Sequence, residues 1–310
     1  MTGVYRDLAA ALLAVDREHP PVNVGLAAQL ACLLEVSAPK PGNVSPGRHF
    51  ADLRYEDFLA SAVAVGEPLA GAGTRGLGAT VRLAVEATGR WARSNTNLGI
   101  ILLFAPIARA AAIDDASLDD SSRSGIHARL RRVLETTTVD DARQTYDAIR
   151  LAAPGGLGSV DSQDVSAEPT MTLFEVMRLA AHRDTIAREY ATGFEVTFEV
   201  AVPALERARH DGLAWDDAVV ETFLTVLASV QDTHVARRSG AARAAEITER
   251  ARRVIAAGGV RLAAGRLAIE EMDAALRDER NSGNPGTTAD LTAAAIFVVL
   301  LGGGFHAAAR

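Results

Sequence analysis

Val196-Thr197-Phe198-Glu199-Val200-Ala201-Val202 is the stretch on which the fold class turns. Valine and phenylalanine fall at every second position, the period of a half-buried strand. The segments on either side carry helical spacing instead, and no hairpin turn follows. We therefore assign the stretch to a helix over 193–209. The rest of the chain points the same way. Leu8, Leu12, Leu13 and Val15, or Ile247, Ala251, Val254 and Ile255, recur at helical intervals in a background rich in Ala and Leu. Helices are predicted near 4–17, 23–36, 55–70, 77–93, 97–112, 124–135, 139–152, 173–190, 193–209, 215–230, 241–257, 266–279 and 288–301. The expected fold is all-α: a single compact domain over 1–310 of about thirteen helices.

Composition narrows the function classes. Of 310 residues, 48% are hydrophobic, so wholesale disorder is excluded. The net charge of −7 argues against a protein devoted to nonspecific nucleic-acid binding. The single cysteine, Cys32, rules out an intramolecular disulfide and a multi-cysteine zinc site. The N-terminal apolar stretch, Ala9–Val15, runs straight into Asp16, Arg17 and Glu18 and lacks a signal-peptide cleavage pattern. The apolar run Ala293–Leu301 is about half the ~20 residues of a membrane span. The chain is expected to be cytoplasmic, with no membrane and no nucleic-acid partner. Every Lys or Arg in the chain but one is Arg; the exception is Lys40.

Five polar junctions separate the helices: Ala38–Asp52 preceded by Glu35, Ser94–Gly99, Pro154–Asp164, Gln231–Arg238 and Asn281–Asp290. Asp114–Ser124 is read as an exposed loop. Asn95 or Thr96 is placed to cap the helix that follows, and Thr287 with Asp290 resembles a capping box. Gly- and Thr-rich turns that open helices leave N–H groups free for phosphate oxygens, although plain capping is the commoner use. The nucleotide loop Gly-x-x-x-x-Gly-Lys-Ser/Thr is absent. Asp52, Asp161, Asp164, Asp232 and Asp290 sit in these junctions, and magnesium takes one or two carboxylates plus substrate phosphates. Asp232 and His234 would lie about 200° apart on a continuous helix, so they form no adjacent pair unless the helix is broken. Glu35, at the end of an apolar helix, is a candidate partner for Lys40 or a catalytic group.

Four of these segments, taken in order, resemble the triphosphoribosyl-dephospho-CoA synthase family. They are Lys40-Pro41-Gly42-Asn43-Val44, Asn95-Thr96-Asn97-Leu98-Gly99, Gln231-Asp232-Thr233, and Asn284-Pro285-Gly286-Thr287-Thr288-Ala289-Asp290-Leu291. The resemblance spans about 35–301. It implies a mostly helical, Mg²⁺-dependent transferase with ATP as substrate. Such an enzyme moves the triphosphoribosyl group to an alcohol acceptor such as 3′-dephospho-CoA and releases adenine. On this resemblance Lys40, Asn284, Gly286 and Thr287 are placed on phosphates, with Asn43 and Arg238 as further substrate-binding candidates. Asp232 and Asp290 are placed on magnesium, and Asn95 and Asn97 on ribose or base. Glu35 and Asp52 become candidates for the base or for stabilising an oxocarbenium-like transition state.

The chain also departs from the citrate-lyase pattern of the family. Ser45 stands where that pattern has Asp, and Asn97 and Leu98 replace His and Lys. Thr287 and Thr288 replace Gly and Ser. Arg188–Glu195 and the Pro154–Asp164 loop are more similar to a sister branch, associated with archaea and with bacteria that use tetrahydromethanopterin. Two alternatives therefore stand beside the first expectation. One is a related ribosyl or phosphoribosyl transfer in the biosynthesis of such a cofactor. The other is a noncatalytic helical regulator that binds a nucleotide.

Overall fold

Val196–Ala201 is one turn of π-helix, and no β-strand occurs among the described residues. The computed structural model describes residues 23–92, 96–113, 123–155, 158–278 and 281–305. The predicted helix 4–17, Asn95 and most of the Asp114–Ser124 loop lie outside them. The π turn has a specific support. The buried carboxylate of Glu189 accepts the backbone N–H groups of Val196 (2.9 Å) and Thr197 (2.8 Å) together with the Thr197 hydroxyl. Val196 and Phe198 then face the core, while Thr197 is buried because Glu189 satisfies it. The alternation thus arises from packing around a capped turn.

In chain order the α-helices are α1 (Val24–Ser37), α2 (Tyr55–Ala64), α3 (Gly66–Ala70), α4 (Leu77–Gly89), α5 (Leu98–Ala112), α6 (Arg123–Glu135), α7 (Val139–Ala152) and α8 (Leu173–Ala180). They continue with α9 (Thr185–Thr192), α10 (Val202–His210) directly after the π turn, α11 (Trp215–Ser229), α12 (Thr233–Ser239), α13 (Ala241–Ala256), α14 (Ala263–Leu276) and α15 (Gly286–Leu301). Two predicted helices are each divided. The 55–70 segment breaks at Val65, ahead of Gly66 and Pro68. The 173–190 segment breaks before Asp184, whose side chain caps α9 by accepting from Ala187 N at 3.0 Å. The Gln231–Arg238 junction is also largely helical, because it carries α12.

The centre of the molecule is built on α5 and α15. Every residue from Leu291 to Leu301 is buried, so α15 has no polar face and behaves as an interior helix. It packs on α1, α5 and α11, and Phe104 of α5 stacks on Phe297 with ring centroids 4.4 Å apart. Pro106 lies inside α5 and cannot donate to Leu102, four residues back. The Tyr190 hydroxyl of α9 fills that position at 2.6 Å. One continuous apolar core runs from Ala27 to Leu301. No helix among the described residues is long and apolar enough to cross a membrane.

Candidate active site

The end of α1 and the starts of α5, α12 and α15 all open on one cavity of about 1170 Å³. Its polar lining includes Glu35, Asn43, Asp52, Thr96, His234, Arg237, Arg238, Asn284, Gly286, Thr287 and Asp290. Segments from the first, second and fourth motifs therefore share one space with His234, which directly follows the third, although almost 250 residues of chain separate the first from the last.

Glu35 is brought to the wall by the last turn of α1, and Lys40 holds it there. The Lys40 side chain is fully buried, with its ammonium 3.0 Å from Glu35 Oε1. It also donates to the backbone carbonyls of Glu35 and of Ala38, the latter at 3.1 Å. Three acceptors for three N–H groups leave it no donor over, and Lys40 is not among the cavity-lining residues. The phosphate contact expected of Lys40 would require breaking this set.

The loop after Lys40 is clamped from a distance. Gly42, at φ +75°, lies against Leu276, where a Cβ would come within 3.0 Å. Its N–H donates to Asp273 Oδ1 at 2.7 Å. Asp273 Oδ2 accepts from Arg48 and from Arg277 Nε, each at 2.9 Å. Arg277 in turn reaches the Asn43 carbonyl at 2.6 Å. Asn43 Nδ2 then donates to Asn284 Oδ1, tying the first motif to the last. Sequence reasoning missed Asp273 and Arg277. An Asp and an Arg four residues apart read as an ordinary surface pair, and only their apolar neighbours Met272 and Leu276 hint at burial.

Asp232 links the third motif to the fourth. It is the N-cap of α12, accepting from Val235 N at 2.9 Å through Oδ1. Its Oδ2 accepts from Thr288 N (2.7 Å) and Thr288 Oγ1 (2.8 Å), at the start of α15. Asp232 is buried and absent from the cavity wall. Because it is the cap, the break needed to bring it near His234 is present. His234 faces the cavity instead: Nδ1 lies 3.1 Å from the Asn284 carbonyl and its backbone N–H donates to Thr287 Oγ1 at 3.2 Å. The capping box expected of Thr287 and Asp290 does not form. α15 begins after Pro285 with no side-chain cap, and Thr287 serves His234.

Asp290 is therefore left for the cavity. Its Oδ2 would lie 1.9 Å from a Cβ at position 99, so the second motif needs Gly99 for this carboxylate to fit. Burial first, then the charges of Glu35 and Asp232, hold the Asp290 carboxyl well above the ordinary range. Asn97 is buried at the start of α5 and makes no side-chain cap bond, while Thr96 pairs with Ser61 at 2.7 Å. Asn43 Oδ1, on the cavity wall, is buried without a partner, a pattern that points to a ligand or water there. Asn97 Nδ2 is also unpartnered, but Asn97 is not among the lining residues. Asp52 is exposed at the cavity rim. Arg238 is exposed on the lining, and Arg237 pairs with Asp184. No group of three or more His, Cys, Asp or Glu is arranged around a metal position among the described residues. The set does fit a cation held by one or two carboxylates, with substrate phosphates completing the shell.

Comparison with known proteins bears on this geometry. The chain is similar to the 2-(5″-triphosphoribosyl)-3′-dephosphocoenzyme-A synthase of Klebsiella pneumoniae, with 35% identity over 113 residues, 36% of this chain and 40% of that one. A Pseudomonas syringae pv. tomato protein provisionally given the same name is also 35% identical over 113 residues, 36% of this chain and 38% of its own length. The match thus spans well under half of these relatives. A crystal structure from Archaeoglobus fulgidus, of a candidate triphosphoribosyl-dephospho-CoA synthase, superposes with a TM-score of 0.63 at 29% identity. It covers 81% of this chain and 99% of that one. A family model described as ATP:dephospho-CoA triphosphoribosyl transferase matches residues 21–308. The chain belongs to that family.

Proposed function

We propose that the chain catalyses Mg²⁺-dependent transfer of the triphosphoribosyl group of ATP to an alcohol acceptor, with release of adenine. The acceptor class is that of 3′-dephospho-CoA. The observation that carries this reading is the convergence on one cavity of three separate motif segments and of His234, the residue after the third motif. A volume of about 1170 Å³ exceeds the roughly 300–1,000 Å³ of ordinary small-ligand pockets, in keeping with two substrates side by side.

Each part of the reaction has residues suited to it. Breaking the bond between adenine and ribose builds positive charge on the anomeric carbon, and the carboxylate of Glu35 faces the cavity to stabilise it. Asn284, Gly286 and Thr287 at the start of α15, with Arg238, suit phosphate oxygens. Asn43 carries an unpartnered polar atom on the cavity wall for ribose or base. Asp290, with substrate phosphates, would hold magnesium, which would supply charge neutralisation for the triphosphate. Lys40 acts through Glu35, fixing its position and offsetting its charge. Asp232 acts through Thr288 and Val235, setting the angle between α12 and α15.

Purified protein incubated with ATP, Mg²⁺ and 3′-dephospho-CoA tests the reading. Free adenine and an acceptor heavier by the triphosphoribosyl group are expected by mass spectrometry. Nucleotide binding with no adenine from any acceptor alcohol would leave a binding protein instead.

A further inference from the structure

The imidazole of His234 has one nitrogen committed and one open. Nδ1 lies 3.1 Å from the backbone carbonyl of Asn284. A carbonyl only accepts, so the proton of the neutral ring sits on Nδ1 and Nε2 carries a bare lone pair. The ring cannot turn easily. Its backbone N–H is held by Thr287 Oγ1 at 3.2 Å, and Nδ1 would lie 2.7 Å from a Cβ at position 286, so Gly286 leaves it room. His234 lines the cavity alongside Asn284, Thr287 and Asp290.

We infer that His234 Nε2 accepts the hydrogen bond, and then the proton, of the acceptor's hydroxyl as its oxygen bonds the anomeric carbon. The bond to adenine breaks, adenine leaves with that electron pair, and the proton passes through solvent to the departing base. The inference rests on the transferase reading and adds a residue to it. The other strong acceptors on the cavity wall are His182, whose Nδ1 lies 2.9 Å from the Leu179 carbonyl, and carboxylates. His182 and Asp52 are exposed, away from the start of α15. Glu35 is shared with Lys40 and Asp184 with Arg237, while Asp290 sits against Gly99. A carboxylate beside a triphosphate adds repulsion, whereas a neutral imidazole receives a neutral hydroxyl without it. The ligand class is therefore an alcohol presented next to the phosphate-binding start of α15. Alignment of this kind acts on the chemical step more than on affinity.

Two substitutions separate this role from a structural one. In His234→Asn the amide Nδ2 takes the place of Nδ1 and keeps the bond to Asn284, but nothing reaches the cavity. In His234→Gln the longer amide places a polar atom near the position of Nε2 and preserves an acceptor there. Both proteins are compared with wild type in adenine release from ATP, Mg²⁺ and 3′-dephospho-CoA, with thermal melting recorded alongside. The expected result is a kcat about tenfold lower for His234→Asn, with KM for ATP little changed and melting near wild type. His234→Gln is expected to retain several-fold more kcat than His234→Asn. Equal kcat for the two variants, or a loss confined to KM for ATP, would overturn the inference. Absence of adenine release by the wild type would instead overturn the transferase reading, so the two failures are distinct.

Discussion

The Tyr190 hydroxyl donates a 2.6 Å hydrogen bond to the Leu102 carbonyl, the group that Pro106 deprives of its helical partner. Both residues are buried where α9 meets α5, the helix that starts at the cavity. Tyr190→Phe leaves that carbonyl unsatisfied and is expected to cost about 1–3 kcal/mol. Pro106→Ala in the same chain restores the backbone donor and should recover part of the loss. Denaturant unfolding of the two single variants and the double variant measures this coupling.

Lys40 is expected to matter for stability first. Lys40→Met strands the buried Glu35 carboxylate and should cost about 3–5 kcal/mol. Adding Glu35→Gln should recover most of that stability without restoring activity. Lys40→Arg forces a larger planar group into a closed space and should cost about 1–3 kcal/mol. Urea denaturation checks all three. A Lys40→Arg protein of unchanged stability with a raised KM for ATP would place Lys40 on phosphate instead.

Asp232→Asn removes one of two carboxylate oxygens that together take three donors from α12 and α15. The expected loss is about 1.5–3 kcal/mol, with Mg²⁺-dependent ATP binding retained at low temperature. Calorimetric titration at 10 °C or thereabouts reads the binding directly. Loss of Mg²⁺ dependence with stability intact would make Asp232 a metal ligand.

Burial holds the His234 imidazole below its ordinary value of 6.5. Between that value and the lower folded one, the unfolded chain binds the extra proton and the native chain does not. Stability from this residue is therefore full above the ordinary value and is lost as pH falls. Unfolding free energy measured from pH 7 downward should decline less steeply in His234→Asn than in wild type.

How much of this was legible in the sequence differs by level. Helical periodicity gave the all-α class, including the Val196–Val202 stretch, because its flanks outweighed its alternation. Three of the four motifs marked segments that meet at the cavity, and the third marked the cap that joins α12 to α15. Which side chain faces the cavity was not legible, because it depends on partners far along the chain. Asp232 and Asp290 look alike as junction aspartates, yet Thr288 engages one and Gly99 makes room for the other. Lys40 looked like a phosphate ligand, and only folding shows its ammonium enclosed by the turn that carries it. The clamp of Asp273 on Gly42 spans 231 positions and leaves no local pattern.

Ribosyl transfer in the cavity around Asp290 is open to direct test. The most direct measurement is adenine release from ATP and 3′-dephospho-CoA by the wild type and by Asp290→Asn. Acceptor-dependent release is expected from the wild type, with a fall of about a hundredfold or more in the variant and folding largely retained. Equal release by both proteins would contradict it.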